Sequence, residues 1–473
     1  MENRSRVQDF KELLSTAWPL MLSTGLFSIT LFVDRLFLFQ YSDAAAAAAM
    51  SAGTLFWSVT CLPAGICGYT STFVAQYLGV RRVDRAMHVV WQGCLLAIAM
   101  MPILVLLGLY SYQLFITFGH PPELAKSEYD FFLGLVPGAC ATILSSALVG
   151  LFAGSGRPLV LLYCDAIATA TNAVLDYGMI FGNLGFPEWG VAGAALASSL
   201  SLSLKCILLA GFALWYLKTN RFGVWPTHAG GMNRFQDVFR WGFPLMRRLI
   251  RFGWPAGVSV VAEAWSFAII MMIVGNLGER PAAATTLALG VNVLAFIPLM
   301  GLGIAVGVLV GKYLVQSQLK TAQRLIEAAL TVGLIYSGVF AILYGVFPEQ
   351  IMSIYAIGND PARFEAIKPE LKPLLYFIAA YCVFDSVQVI FSGVLKGAGD
   401  TLFVLLGHAI AGFGTVGLAV LGQKIFGWDG LYYWWGVISI WVIVLAIFFT
   451  ARYLHGGWKN KRVIEPDLVS CDA

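Results

Sequence analysis

Charge is scarce in this 473-residue sequence: 12% of residues are Asp, Glu, Lys or Arg, against 59% hydrophobic and 14% aromatic. A water-soluble chain carries about twice that share of charge, so no aqueous surface can be built from what remains. Eight cysteines are scattered without a CxxC pair, and five histidines stand isolated, which leaves no disulfide framework and no metal-ligand or catalytic spacing. The Gly-rich runs Gly154-Ser-Gly156 and Gly397-Ala-Gly399 lack the GKS/T ending of a phosphate loop and read as turns at helix ends. No DDxxD-type or His-rich cluster is present, so a membrane-embedded enzyme is the remote alternative and no cofactor is expected. The net charge of +4 is grouped in loops rather than on a nucleic-acid-binding face. A cleavable signal peptide is not expected, because the first apolar stretch is too long for one and contains Trp18-Pro19.

What the sequence does have is long apolar runs. Crossing a hydrocarbon core of about 30 Å takes about 20 residues of helix. About twelve segments qualify, near 16-39, 52-77, 88-110, 129-152, 159-182, 190-217, 253-275, 284-311, 325-347, 373-395, 402-422 and 430-453. They are continuously apolar rather than alternating, which selects helices over barrel strands. The expected class is an all-α polytopic membrane protein. About 22 of the 30 Lys and Arg residues fall on one side of these spans, so both termini are expected in the cytoplasm, with the chain in the plasma (inner) membrane. Arg35 and Lys205 fall inside helices.

The chain repeats itself. Trp18-Pro19 recurs as Trp254-Pro255, and Phe73-Val-Ala-Gln-Tyr-Leu-Gly79 as Leu309-Val-Gly-Lys-Tyr-Leu-Val315, both at one offset, that from Pro19 to Pro255. Gly65 with Gly301 and Ala86 with Ala322 keep that offset, and Ala153-Gly-Ser-Gly156 matches Lys396-Gly-Ala-Gly399 after a small insertion. Six helices per repeat is an even number, so the halves are parallel repeats. The expected organisation is an N-lobe, 1-217, a linker, 218-252, and a C-lobe, 253-473, around a central cleft. Small residues at Ala44 to Ala49 and Gly190 to Ala197 are expected to let helices pack closely.

Four carboxylates interrupt this apolar background: Asp34, Asp176, Glu263 and Asp385. An intramembrane charge costs roughly 2.5 to 3.5 kcal/mol on insertion scales, so such residues usually face an internal cavity and serve a function. Asp34 and Asp176 come out at similar depth and can meet inside the N-lobe. Asn172 shares a helix face with Asp176, and extending that face back gives Thr169 and Asp165, a polar stripe. Glu263 and Asp385 come out near the midplane, with Tyr381 one turn from Asp385. Two carboxylates and that hydroxyl can hold a partly dehydrated monovalent cation, a drug cation or a proton.

These features together resemble the multidrug and toxic compound extrusion (MATE) family, of the bacterial NorM/DinF-like type. The tokens are Pro19 with Phe32-Val-Asp34, Val74-Ala-Gln76 with Gly79, Asn172-Ala-Val-Leu-Asp176, Gly190 to Ala197, Trp254-Pro255 with Glu263, Tyr381 with Asp385, and Gly397-Ala-Gly-Asp-Thr401. The resemblance implies an antiporter, not an enzyme, that couples H⁺ or Na⁺ to export of cationic amphipathic small molecules by alternating access. It implies N-lobe coupling at Asp34, Asn172, Asp176 and Ser198, where Ser stands for the family's Thr. It implies a hinge at Pro19 and a cation site, possible for Na⁺, at Glu263, Tyr381 and Asp385. Arg35 departs from the family, which has a small polar residue there. Partners are then substrate and lipid bilayer, without nucleic acid, and the chain is expected to act as a monomer. A lipid or lipid-linked oligosaccharide flippase of the same superfamily is the alternative, but its cavity would be basic and the ionisable residues here are mainly acidic.

Overall fold

A computed structural model describes residues 5–219, 242–356 and 361–469, and all regular structure among them is helical. The chain runs through α1 (Arg6–Tyr41), α2 (Asp43–Gly68), α3 (Thr70–Gly79), α4 (Val83–Thr117), α5 (Pro122–Gly154), α6 (Pro158–Phe181) and α7 (Gly190–Lys218). It continues through α8 (Phe243–Gly275), α9 (Glu279–Val315), α10 (Leu319–Val346), α11 (Pro348–Ala356), α12 (Pro361–Ala398), α13 (Thr401–Phe426), α14 (Leu431–His455) and the short α15 (Pro466–Val469). Twelve spans among the described residues are long and apolar enough to cross a membrane, with α2 and α3 forming one of them, Ala48–Gly79. Their outer faces are apolar as lipid requires: on α4, Ile103, Leu106 and Tyr110 recur at helical spacing, each more than half exposed.

Most of the expected linker, 220–241, lies outside the described residues. The helix expected from 253 begins at Phe243, because Leu245, Met246 and Leu249 form a buried stripe that carries the helix further back. Helix ends follow local chemistry. Ser42 Oγ caps α2 by accepting from Ala45 N–H at 3.0 Å, and prolines start α5 and α6, where the missing N–H costs nothing. Of the Ala44 to Ala49 run, Ala45 and Ala48 are buried, and the side chains of Ala44, Ala46 and Ala47 lie outside the described ones.

The internal repeat is visible in backbone detail. The turns after α3 and α9 place Arg81 and Ser317, which are related by the repeat offset, at φ 56° and 57°. The bonds that close these turns, Arg82 N–H to Tyr77 C=O and Gln318 N–H to Tyr313 C=O, correspond residue for residue.

Packing divides the chain into two compact units: an N unit, Leu22–Gly257 with Val463–Ala473, and a C unit, Met1–Met21 with Val258–Arg462. The first halves of α1 and α8 therefore pack with the half of the chain that their second halves leave. Both helices divide just beyond their proline, after Met21 and after Gly257, and these points are again related by the repeat offset. Glycine permits the close approach at each division. In the N unit a Cβ on Gly65 would lie 2.7 Å from Gly257 Cα, and in the C unit one on the repeat-related Gly301 would lie 2.6 Å from the Leu20–Met21 backbone.

Candidate functional site

In the N unit a ladder of polar side chains links α1, α6 and α7. At one level Ser198 Oγ donates to Asp34 Oδ2 at 3.2 Å, while Asn172 Nδ2 donates to Ser198 Oγ at 3.5 Å and lies beside Asp34. Asp176 lies beside Asp34. Both Asp176 oxygens and Asp34 Oδ1 are buried with no donor among the described residues, and a bond between these two carboxyl groups requires a proton on one of them. One rung along, Thr30 and Thr169 hydroxyls meet at 2.9 Å. On the next rung Ser23 donates to Asp165, and Lys205 Nζ pairs with Asp165 at 2.5 Å. The rungs run about 16 Å along α6, from Asp165 to Asp176, at 1.5 Å per residue.

The ladder joins every N-lobe candidate read from the sequence and adds three partners, Ser23, Thr30 and Lys205. Ser23, Thr30 and Asp34 recur at seven and four positions along α1, a helical stripe as regular as that on α6 but made mostly of hydroxyls, which an apolar background does not flag. Lys205, which falls inside a helix, thus pairs with an acid. Arg35 is exposed, and its charge acts on Asp34. Pro19 is buried, one helical turn before Ser23.

Removing one partner of a part-buried ion pair leaves the other poorly compensated, which costs on the order of 1–3 kcal/mol. Lys205→Met is therefore expected to lower the thermal unfolding temperature in detergent, and Lys205→Met with Asp165→Asn to recover most of it. A double variant no more stable than the single would count against the pair.

The C-unit candidates are less tightly joined. Tyr381 and Asp385 are 2% and 5% exposed, one turn apart on α12. Gln388 lies beside Asp385, and Asp385 lies within electrostatic range of both Glu263 and Tyr381. Among the described residues no hydrogen bond joins Glu263, Tyr381 and Asp385 directly. Glu263 instead has two basic neighbours that the sequence reading did not include. His408 on α13 places Nδ1 3.7 Å from its carboxylate, and the Lys396 charge acts on it as well. His408 is one of the isolated histidines and Lys396 one of the loop-end positive charges, and only tertiary folding brings them to α8. No group of three His, Cys, Asp or Glu side chains arranged for a metal occurs among the described residues.

Comparison with known proteins agrees with this architecture. The chain is 29% identical over 404 residues to the multidrug resistance protein NorM of Burkholderia vietnamiensis, covering 84% of this chain and 83% of that one. It is 28% identical over 472 residues to a probable multidrug resistance protein NorM of Pseudomonas putida, with 98% of each chain covered. Its fold matches a MOP superfamily transporter from Pyrococcus furiosus, at TM-score 0.83 and 20% identity over 96% of this chain and 97% of that one. It also matches the eukaryotic MATE transporter AtDTX14, at TM-score 0.80 and 18% identity over 96% and 97%. The MatE family model matches twice, over residues 19–178 and 255–420, so that each match opens on the proline of a Trp-Pro pair, at the repeat offset. This chain therefore belongs to the MatE family of membrane transporters.

Proposed function

We propose that the chain is a multidrug efflux antiporter that exports cationic amphipathic small molecules by alternating access, driven by H⁺ or Na⁺. In this reading it acts as a monomer in the plasma (inner) membrane with both termini cytoplasmic. The observation that carries the proposal is the Asp34 and Asp176 pair, set inside membrane-spanning helices and supported by Ser198 and Asn172. With one proton the two groups can hydrogen-bond and hold α1 against α6. Without it two like charges face each other at short range and push α1 away. An organic cation can neutralise the pair in the proton's place, so proton and substrate compete for one site and must alternate.

This chemistry favours the proton at the N-unit pair. At the C unit, Glu263, Tyr381 and Asp385 supply oxygens for Na⁺, while Lys396 and His408 stand beside Glu263 as basic neighbours. α1 carries Pro19 as its weak point, since a proline removes one backbone hydrogen bond and admits a bend.

The test is ethidium or norfloxacin movement in proteoliposomes with a pH gradient and a Na⁺ gradient imposed separately. Uphill movement under one of them identifies the coupling ion. No uphill movement under either would remove the antiporter reading.

A further inference from the structure

The repeat relates a second set of residues, at the terminus-bearing ends of the helices, that the coupling ladder does not use. In the C unit, Glu12 on the first half of α1 accepts from Lys312 Nζ at 3.0 Å and from the Tyr313 hydroxyl at 2.6 Å, both on α9. Carried across by the repeat offset, these positions become Arg248 on the first half of α8, with Gln76 and Tyr77 on α3. The acid has become a base and the lysine an amide, so the carboxylate-centred ion pair of the C unit has no counterpart at these positions.

The C-terminal segment of the chain fills the gap. Arg248 donates from Nε and Nη2 to the Val463 carbonyl at 3.2 and 2.7 Å, and Gln76 Oε1 accepts from Val463 N–H at 2.9 Å. The Tyr77 hydroxyl donates to Glu465 at 2.9 Å. Val463 and Ile464 are 0% and 1% exposed. Glu465 thus gives the N unit the carboxylate-to-tyrosine bond that Glu12 makes in the C unit.

Glu12 precedes Pro19, and Arg248 precedes Pro255, by the same short interval, about two helical turns. Each tie therefore holds the segment that precedes a proline, the point at which the helix lacks one backbone hydrogen bond. Glu12 and Lys312 side chains are 22% and 37% exposed, and an ion pair in reach of water is weak enough to break and remake during a cycle.

We infer that Glu12 and the Val463–Glu465 strap are positioning residues for transport, two repeat-related latches that must release the pre-proline halves of α1 and α8 before the cytoplasmic side opens. The inference rests on the proposed orientation, with both termini cytoplasmic. The device is asymmetric: one latch is a side-chain pair, and the other is the chain's own tail.

Two measurements test it. The first joins Glu12→Cys to Tyr313→Cys, or Tyr77→Cys to Glu465→Cys, with a short reducible bis-methanethiosulfonate, in a background whose native cysteines are replaced by serine. Linked protein is expected to lose ethidium counterflow until a reductant cleaves the linker. Exchange at the unlinked rate would make the ties static struts and overturn the inference. The second uses Cys67, fully buried and next to Ile66, whose backbone and side chain close on Gly253 of α8. With Cys67 as the sole cysteine, truncation after Arg462 is expected to raise its maleimide labelling from the cytoplasmic face about fivefold, the shift that release of a weak tie produces. Unchanged labelling would overturn the tail latch. Labelling needs no substrate and no ion gradient, so its failure is distinguishable from failure of the efflux reading.

Discussion

Asp34→Asn is expected to collapse gradient-driven efflux while leaving a folded protein that still exchanges substrate down its gradient. The amide keeps the shape of the side chain and can still accept from Ser198, which lies 3.2 Å from the carboxylate. It cannot share a proton with Asp176 or carry the charge that a cation would neutralise. One cation moving down 100 mV supplies about 2.3 kcal/mol, which supports a substrate ratio of nearly fiftyfold at about 1.4 kcal/mol per decade. Without coupling that ratio falls to about one. The measurement is steady-state substrate accumulation in everted vesicles, beside counterflow at zero gradient. A variant that sustained the full ratio would show that Asp34 takes no part in coupling. Asp176→Asn is expected to behave alike, because the proton bond needs both groups.

The second large effect is on stability and lies at Asp400, in the Gly397-Ala-Gly-Asp-Thr401 segment at the start of α13. Asp400 is 4% exposed and meets Arg452 Nε at 2.8 Å and Lys461 Nζ at 3.5 Å. The Arg452 guanidinium also covers the Phe403 ring at 4.6 Å. Arg452→Met leaves a buried carboxylate with only the more distant Lys461, at a cost of about 3 kcal/mol. Asp400→Asn leaves two cations whose side chains are 21% and 50% exposed; water can solvate them, so the loss is smaller, about 1 kcal/mol. The order of the two variants in detergent thermal unfolding is the test, and an Asp400→Asn protein less stable than Arg452→Met would contradict it.

Much of this molecule was legible in one dimension because the membrane imposes simple rules on sequence. Spans must be long and apolar, so the twelve runs show directly. The duplication preserved turn chemistry, so the offset that relates two Trp-Pro pairs also relates two backbone turns at Arg81 and Ser317. The α6 stripe of Asp165, Thr169, Asn172 and Asp176 was readable because its spacing follows the helical period, and acids stand out in hydrocarbon. The hydroxyls of Ser23 and Thr30 were not readable, since Ser and Thr are ordinary in membrane helices and bond their own backbone as readily as a neighbour.

The C-unit surroundings were hidden for a different reason. His408 and Lys396 lie on elements far from α8 in sequence, and no period relates them to Glu263. The division of α1 and α8 was hidden as well. A continuous helical pattern says nothing of which neighbour each half packs against, and the close approaches at Gly65 and Gly301 exist only once helices cross. By itself the sequence determined that the chain crosses a membrane twelve times as a duplicated scaffold with intramembrane acids, because burying charge in lipid is costly enough to mark the residue types. Only the tertiary structure decided which partners those acids meet, that Lys205 belongs to Asp165, and that the tail stands in for a missing carboxylate, because hydrogen bonds and ion pairs act over a few ångströms while the residues that make them lie far apart along the chain.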